Sequence, residues 1–447
     1  MRIIATTDAG FDSQLARITG RMELQERSQP PAVQRKTIEV FGKPLTPSEV
    51  VRTIVADVRE RGDDAVFDYA RRLDGQTIDA ANVRVPQDEI DAACQRVEPA
   101  LLAALQKAAE NVRRYQQHIL TPEPPPLSVA GRTLISRYLP VEVAGIYVPG
   151  GLAPYPSSLI MGAVPALAAG VKRVYVCSLP LKDGSMHPAV LAAASVCGVN
   201  EIYRVGGVHA IAAMAFGTAS IPRADKIAGP GNYFIALAKK EIYGYADIDL
   251  FAGPSEILVL ADDSADPSYV AADLLSQAEH GSMASAVLVT TSAALAAKVQ
   301  QKLHEHLAAL PNRDVAGRAM DEYGAAIVAR DTEECIRLAN RIAPEHLEIL
   351  LEEPEKYIES ITNAGAVFVG PFTPEPVGDY IAGSSHILPT GGTARFFSGL
   401  SANSFLRRTS IVKYDKAALE ADVDAIAAIA RAEGFHAHAL SAEVRKK

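Results

Sequence analysis

The sequence predicts an α/β protein of two lobes with mainly parallel sheets. Two observations carry that expectation. Short apolar runs alternate with helix-like stretches along most of the chain, and such alternation implies right-handed crossovers between parallel strands. The chain, at 447 residues, is also too long for one compact core, so its strands suit two sheets better than one.

The elements follow in order. EVVRTIVADVRERGDDAVFDYARRLD and IDAACQRVEPALLAALQKAAENVRRY carry apolar residues at helical spacing, so residues 48–118 read as helices. PEPPP (122–126) is a stiff spacer or turn. Nine strand-like runs come next: VAGIYV (143–148), RVYVCS (173–178), EIYRV (201–205), DKIA (225–228), EILVLA (256–261), AVLVT (286–290), GAAIVA (324–329), HLEIL (346–350) and AVFVG. LIMGAVPALAAGV (159–171) contains Pro165, stops at Lys172 and is too short for a membrane span, so it reads as a buried helix. KAALEADVDAIAAIARAEG is an amphipathic helix near the C-terminus.

Composition removes several classes of function. A net charge of −9 with no long basic run argues against a nucleic-acid surface. The N-terminus MRIIATTDAGFDSQ lacks an export pattern, and no segment suits a membrane, so a cytoplasmic protein is expected. Cys94, Cys177, Cys197 and Cys335 are scattered with no CxxC, as free thiols of a reducing compartment would be.

Chemistry is suggested at several points. Four glycine turns, YVPGG (147–151), RVGGVHA (204–210), AGPGN (228–232) and AGPSE (252–256), read as strand ends that let backbone N–H groups approach an anion. Together they favour a nucleotide or phosphate-bearing cofactor, although GxGxxG is absent. In DLLSQAEHG (273–281), Gln277 and His280 lie three apart on one helix face. Alone, they fit a solvated helix end as well as a pair of metal ligands. APEHLE offers Glu345 and His346 at a strand start, GDYIAGSSH offers Asp379 and His386, and EGFHAH offers Glu433, His436 and His438. Gln277, His280, Asp379 and His438 would give two nitrogens and two oxygens, a donor set that suits zinc. Spacing does not show that they converge.

Taken in order, IYVPGG–APYPSS, GPGN, AGPSE, DLLSQAEHG, APEHLE, GDY–AG and EG–AH resemble the histidinol dehydrogenase family over roughly residues 40–445. The resemblance implies two NAD-dependent oxidations, from L-histidinol through an aldehyde to L-histidine, the last reaction of histidine biosynthesis. It implies two Rossmann-like lobes with small terminal extensions and one zinc ion per subunit on Gln277, His280, Asp379 and His438. By the same resemblance His346 is the general base and Glu345 the acid that helps activate water. Ser255, His386 and Glu433 join the zinc ligands and His346 around the substrate, while Tyr147, His209 and Asn232 contact the cofactor. It further implies a homodimer in which the C-terminal segment completes the partner's site.

The expected organisation is an N-terminal extension (1–43), a larger lobe (44–146 with 257–400), a smaller cofactor lobe (147–256) and a helical tail (401–447). Three departures from the family pattern stand out. His209 replaces a glutamine, Ser384–Ser385 replaces Pro-Asn, and Phe251 is similar to a branch acting on a sulfonated diol. The rival expectations are such an alcohol dehydrogenase, or a two-lobed protein that only binds its ligand. The absent export signal and the Glu–His pair argue against simple binding.

Overall fold

A computed structural model describes residues 1–21, 31–150 and 153–446. Its strands are β1 (Arg2–Ala5), β2 (Leu127–Val129), β3 (Arg132–Pro140), β4 (Val143–Val148), β5 (Arg173–Ser178), β6 (Ile202–Tyr203) and β7 (Lys226–Ala228). They continue as β8 (Asp247–Ile248), β9 (Glu256–Ala261), β10 (Ser285–Thr290), β11 (Ala325–Val328), β12 (His346–Leu350), β13 (Ala366–Val369) and β14 (Leu406–Tyr414). Each of the nine expected runs forms a strand.

Two parallel sheets organise the molecule. The smaller has the order β6-β5-β4-β7-β8, and the larger β1-β11-β10-β9-β12-β13. Counted within each sheet, and with β1 set aside as an added edge, both follow the 3-2-1-4-5 order of doubly wound dinucleotide folds. All pairings in both sheets are parallel. Helices cover both faces of each. Alternate β4 residues Ile146 and Val148 pack with the helix Pro156–Ala168, while Tyr147 enters the opposite core with the helices Pro47–Arg61 and Gly207–Phe216.

Three boundaries differ from the expected organisation. The helices between Pro47 and His118, grouped by sequence with the larger lobe, pack on the smaller sheet, because their apolar stripes fill its two cores. The N-terminal segment is no loose extension, since β1 pairs with β11 and Phe11, Leu15 and Ile18 of the helix Phe11–Thr19 enter the larger core. The tail is not wholly helical. It opens with β14, which joins β3 and β2 in a separate antiparallel sheet. Helices Lys416–Ala432 and His436–Glu443 then pack on each other around Ala427, Ala430 and Ala439.

Pro165 does lie inside a buried helix, and all four cysteines are free. No helix among the described residues is long and apolar enough to cross a membrane.

Candidate active site

β12 sets the position of the Glu345–His346 pair. His346 is its first residue, and the twofold alternation of a strand puts Glu348 and Leu350 on the same face. That face meets the helix Pro267–Ala278, whose Val270, Leu274 and Ala278 pack around Leu350. Gln277 comes from the same helix and is fully buried. A short helix, Glu375–Tyr380, closes the other side and contributes Glu375 and Asp379, four residues apart and so on one face. Small residues permit this closeness: a Cβ on Gly378 would sit 2.5 Å from the Phe368 ring, and one on Gly365 would sit 2.5 Å from the Glu345 carbonyl oxygen. Ala343 holds a left-handed conformation at φ 52°, so the chain turns sharply just before Pro344, Glu345 and His346.

The resulting geometry is specific. His346 Nδ1 donates to the Glu256 carbonyl at 2.9 Å, which fixes the proton there and leaves Nε2 facing the pocket. Nε2 lies 3.5 Å from Glu375 Oε1 and 3.6 Å from Asp379 Oδ1. The Glu256 N–H donates to Glu345 Oε2 at 2.9 Å. One residue's backbone thus holds both members of the Glu345–His346 pair. His386 stands behind Asp379: its Nδ1 is 3.0 Å from the Asp379 carbonyl, and its Nε2 is 3.2 Å from Ser158 Oγ.

Electrostatics here follow from burial among several carboxyls. Burial pushes the Glu345 carboxyl up to about 8 despite the opposing charge of His346. Burial works against charge on His346 too, but Glu345, Asp379 and Glu375 outweigh it and raise the imidazole to about 10. Asp379 is held below the ordinary carboxylate range: burial opposes this, but the His346 and His386 contacts prevail. Behind the pocket, burial raises Glu348 to about 9, with the neighbouring Asp273 adding to the shift.

Donor atoms converge where a cation would sit. Among the described residues, His346, Glu375 and Asp379 place ligand atoms within 4.8 Å of one another. Both amide atoms of Gln277, His346 Nε2 and Glu375 Oε1 are buried without a hydrogen-bond partner. Buried polar groups are otherwise almost always satisfied, so this convergence marks a place for an ion, water or substrate. The residues fit a metal held by nitrogen and oxygen donors.

His280 follows the end of the Gln277 helix and keeps an exposed edge. Packing around the imidazole lowers its pKa, against the pull of the nearby Asp379 charge. The chain does not bring His438 or Glu433 into the cluster. Both are exposed on the C-terminal segment, and the His438 ring lies 5.2 Å from that of Phe435. Ser255 immediately precedes β9 and is half-buried.

The residues expected at a cofactor line the loops at the carboxyl ends of β4, β6 and β7. Tyr147 is buried and its hydroxyl accepts from the Gly207 N–H at 3.3 Å. His209 is buried in the first turn of its helix, with Nε2 3.3 Å from Asp74 Oδ2. Asn232 caps the helix Tyr233–Ile242, accepting from the N–H groups of Phe234 and Ile235. A buried Lys239–Asp249 pair at 2.6 Å pins the AGPGN turn, because Asp249 also accepts from the Gly229 N–H at 2.8 Å. Gly229, at φ 129°, leaves no room for a side chain: a Cβ would meet the Tyr147 carbonyl at 1.9 Å. The β4–β7 crevice is the switch point of this sheet, where doubly wound folds bind dinucleotides.

One turn departs from expectation. AGPSE does not close a strand but leads into the amino end of β9, because the chain crosses there from the smaller sheet to the larger. The Glu345–His346 pair sits at that same amino end, away from the usual carboxyl-end crevice of its own sheet. Among the departures in sequence, Ser385 bonds the Met161 carbonyl at 3.2 Å, and Phe251 packs 6.0 Å from Phe397.

Comparison with known proteins shows the family. The sequence profile described as histidinol dehydrogenase matches residues 44–446. The chain belongs to the histidinol dehydrogenase family. A curated histidinol dehydrogenase of Heliobacterium mobile is 49% identical over 413 residues, covering 92% of this chain and 96% of that one. Another, of Gluconobacter oxydans, is 43% identical over 445 residues, covering 100% and 99%. The crystal structure of histidinol dehydrogenase from Elizabethkingia anophelis superposes with a TM-score of 0.87 at 35% identity, covering 100% of this chain and 98% of that one. The family assignment makes the chain an oxidoreductase of histidine biosynthesis.

Sequence reading missed Glu375, Glu348 and Asp273, though signals for each were present. Glu375 stands four before Asp379, Asp273 four before Gln277, and Glu348 two after His346 on the same strand face.

Proposed function

We propose that the chain oxidises L-histidinol to L-histidine in two NAD-dependent steps at a zinc site formed by Gln277, His280, Asp379 and the tail residue His438 of a second subunit. The observation that carries this reading is the set of unpartnered buried atoms on Gln277, His346 and Glu375 beside Asp379. Bound there, zinc would supply a positive charge that fixes and orients the amino and imidazole groups of the substrate. Bound at the β4–β7 crevice near Tyr147, His209 and Asn232, NAD would accept hydride in each step.

The chain's own residues then have defined tasks. His386, hydrogen-bonded through its ring to the Asp379 backbone, holds that carboxylate in place for the ligand set. With their charge balanced by a cation, Asp379 and Glu375 no longer hold a proton on His346, so Nε2 is free to take one from the substrate hydroxyl. Nδ1 stays donated to the Glu256 carbonyl and keeps the ring aligned. The second oxidation consumes water. Glu345 adjoins His346 and is held by the Glu256 N–H, so it orients that water toward the aldehyde carbon while His346 receives its proton. Ser255 and Glu433 complete the substrate pocket on this reading.

The exposed tail supports a shared site. Ile429 is 64% exposed, Phe435 53% and Leu440 58%, an apolar face near His438 that a second copy would cover. Four scattered free cysteines fit the reducing compartment of a cytoplasmic enzyme.

The test is NADH formation from L-histidinol before and after chelation, with a sulfonated diol as competing substrate. Histidinol-dependent NADH that disappears on chelation and returns with zinc is expected. Activity on the diol alone would transfer the assignment to the other alcohol, and activity indifferent to chelation would remove the metal from it.

A further inference from the structure

The Glu345–His346 pair hangs on Glu256, and something must hold Glu256. Its backbone N–H and carbonyl are spent on the two catalytic side chains. Its own carboxylate accepts from the Gly391 N–H at 3.0 Å and meets the guanidinium of Arg21 in a buried ion pair. Arg21 is 2% exposed although it comes from the N-terminal segment, ahead of the stretch that the family profile matches. All three of its nitrogens donate. Nε donates to the Ile18 carbonyl at 2.9 Å, and Nη1 donates to the Met283 carbonyl at 2.5 Å and the Ser255 carbonyl at 3.3 Å.

We infer that Arg21 is a positioning residue for the reaction. It ties the N-terminal helix, the AGPSE turn and the Met283 loop into one rigid corner, and that corner sets where Glu345 and His346 point. A planar, five-donor guanidinium can bind three backbone carbonyls and a carboxylate at once, which a lysine ammonium on a flexible stem cannot do in the same geometry. Beside this corner lies a cavity of about 350 Å³, lined in part by Arg21, Glu256, Pro344 and Gly391. Without the guanidinium, the Glu256 carboxylate would turn toward open space, and the backbone bearing the catalytic pair would lose a brace. Small displacements matter here, because a misplacement of about 1 Å can slow an enzyme roughly 10²-fold.

The inference rests on the assignment of Glu345 and His346 as the catalytic pair. The experiment compares zinc-loaded, full-length wild type with Arg21→Lys and with Arg21→Met/Glu256→Gln, which removes both charges and so leaves no buried ion unpaired. Calorimetric binding of L-histidinol counts intact sites, and single-turnover NADH formation gives the rate per site. In both variants the rate per intact site should fall about 10²-fold, with zinc content, site count and histidinol affinity unchanged. Fewer sites, each turning over at the wild-type rate, would reduce Arg21 to a folding role and overturn the inference. So would an unchanged rate. His346→Asn is the control for the underlying assignment: if that variant keeps its turnover, the catalytic pair itself is misassigned, whatever the Arg21 variants do.

Discussion

At the scale of single residues, the roles proposed for Glu345 and His346 are separable by experiment. His346 faces the pocket through Nε2, with Nδ1 committed to a backbone carbonyl. His346→Asn keeps a similar shape but cannot accept a proton near neutrality, so both oxidations should slow by about 10² to 10⁴ while zinc content is unchanged. Glu345→Gln should slow aldehyde oxidation far more than alcohol oxidation, because only that step uses water. Stopped-flow NADH formation from histidinol and from the aldehyde checks both. Slowing confined to the alcohol step in Glu345→Gln would invert the assigned roles.

At the scale of elements, β12 carries a built-in cost. It is buried along its whole length, yet it bears His346 and Glu348 on one face. Glu348 accepts from the Glu375 N–H at 2.7 Å and shares its surroundings with Asp273 and Glu375. Its pKa is raised by burial from an ordinary 4.5 to about 9, so the folded chain binds this proton more tightly than the unfolded chain. The stabilising contribution is therefore complete below about pH 4.5 and is lost as pH climbs through about 9. In metal-free protein, Glu348→Gln should flatten the fall of Tm across that window, where one such group contributes a slope of up to about 1.4 kcal/mol per pH unit. Parallel wild-type and variant curves would show that Glu348 is already charged in the native state.

The same elements show what the sequence made legible. Strand runs were visible because buried parallel strands are continuous apolar stretches bounded by turns, and Gln277 and Asp379 were visible within long ordered motifs. The acids Asp273, Glu348 and Glu375 were hidden in plain helical and strand periodicity, since spacing shows a shared face but not what that face meets. Arg21 had no local signal at all: its partner Glu256 lies 235 residues away, and only the fold joins them. AGPSE leads into β9 instead of closing a strand, and a glycine turn looks alike at either end of one.

At the scale of the molecule, the proposed site draws on more than one chain. Asp379, His346 and Glu375 converge beside the buried, unpartnered amide of Gln277, while His438 remains exposed on the tail with apolar neighbours uncovered. On the proposed function, histidinol oxidation occurs at a metal site completed across two subunits. The most direct test mixes a His280→Ala chain with a His438→Ala chain, each inactive alone, after unfolding and refolding together with zinc. In the heterodimer one site gathers both defects and the other neither, so random pairing should restore about a quarter of wild-type histidinol-dependent NADH formation. Heterodimers that form but stay inactive would contradict the claim, because a tail serving its own subunit leaves every site with one defect.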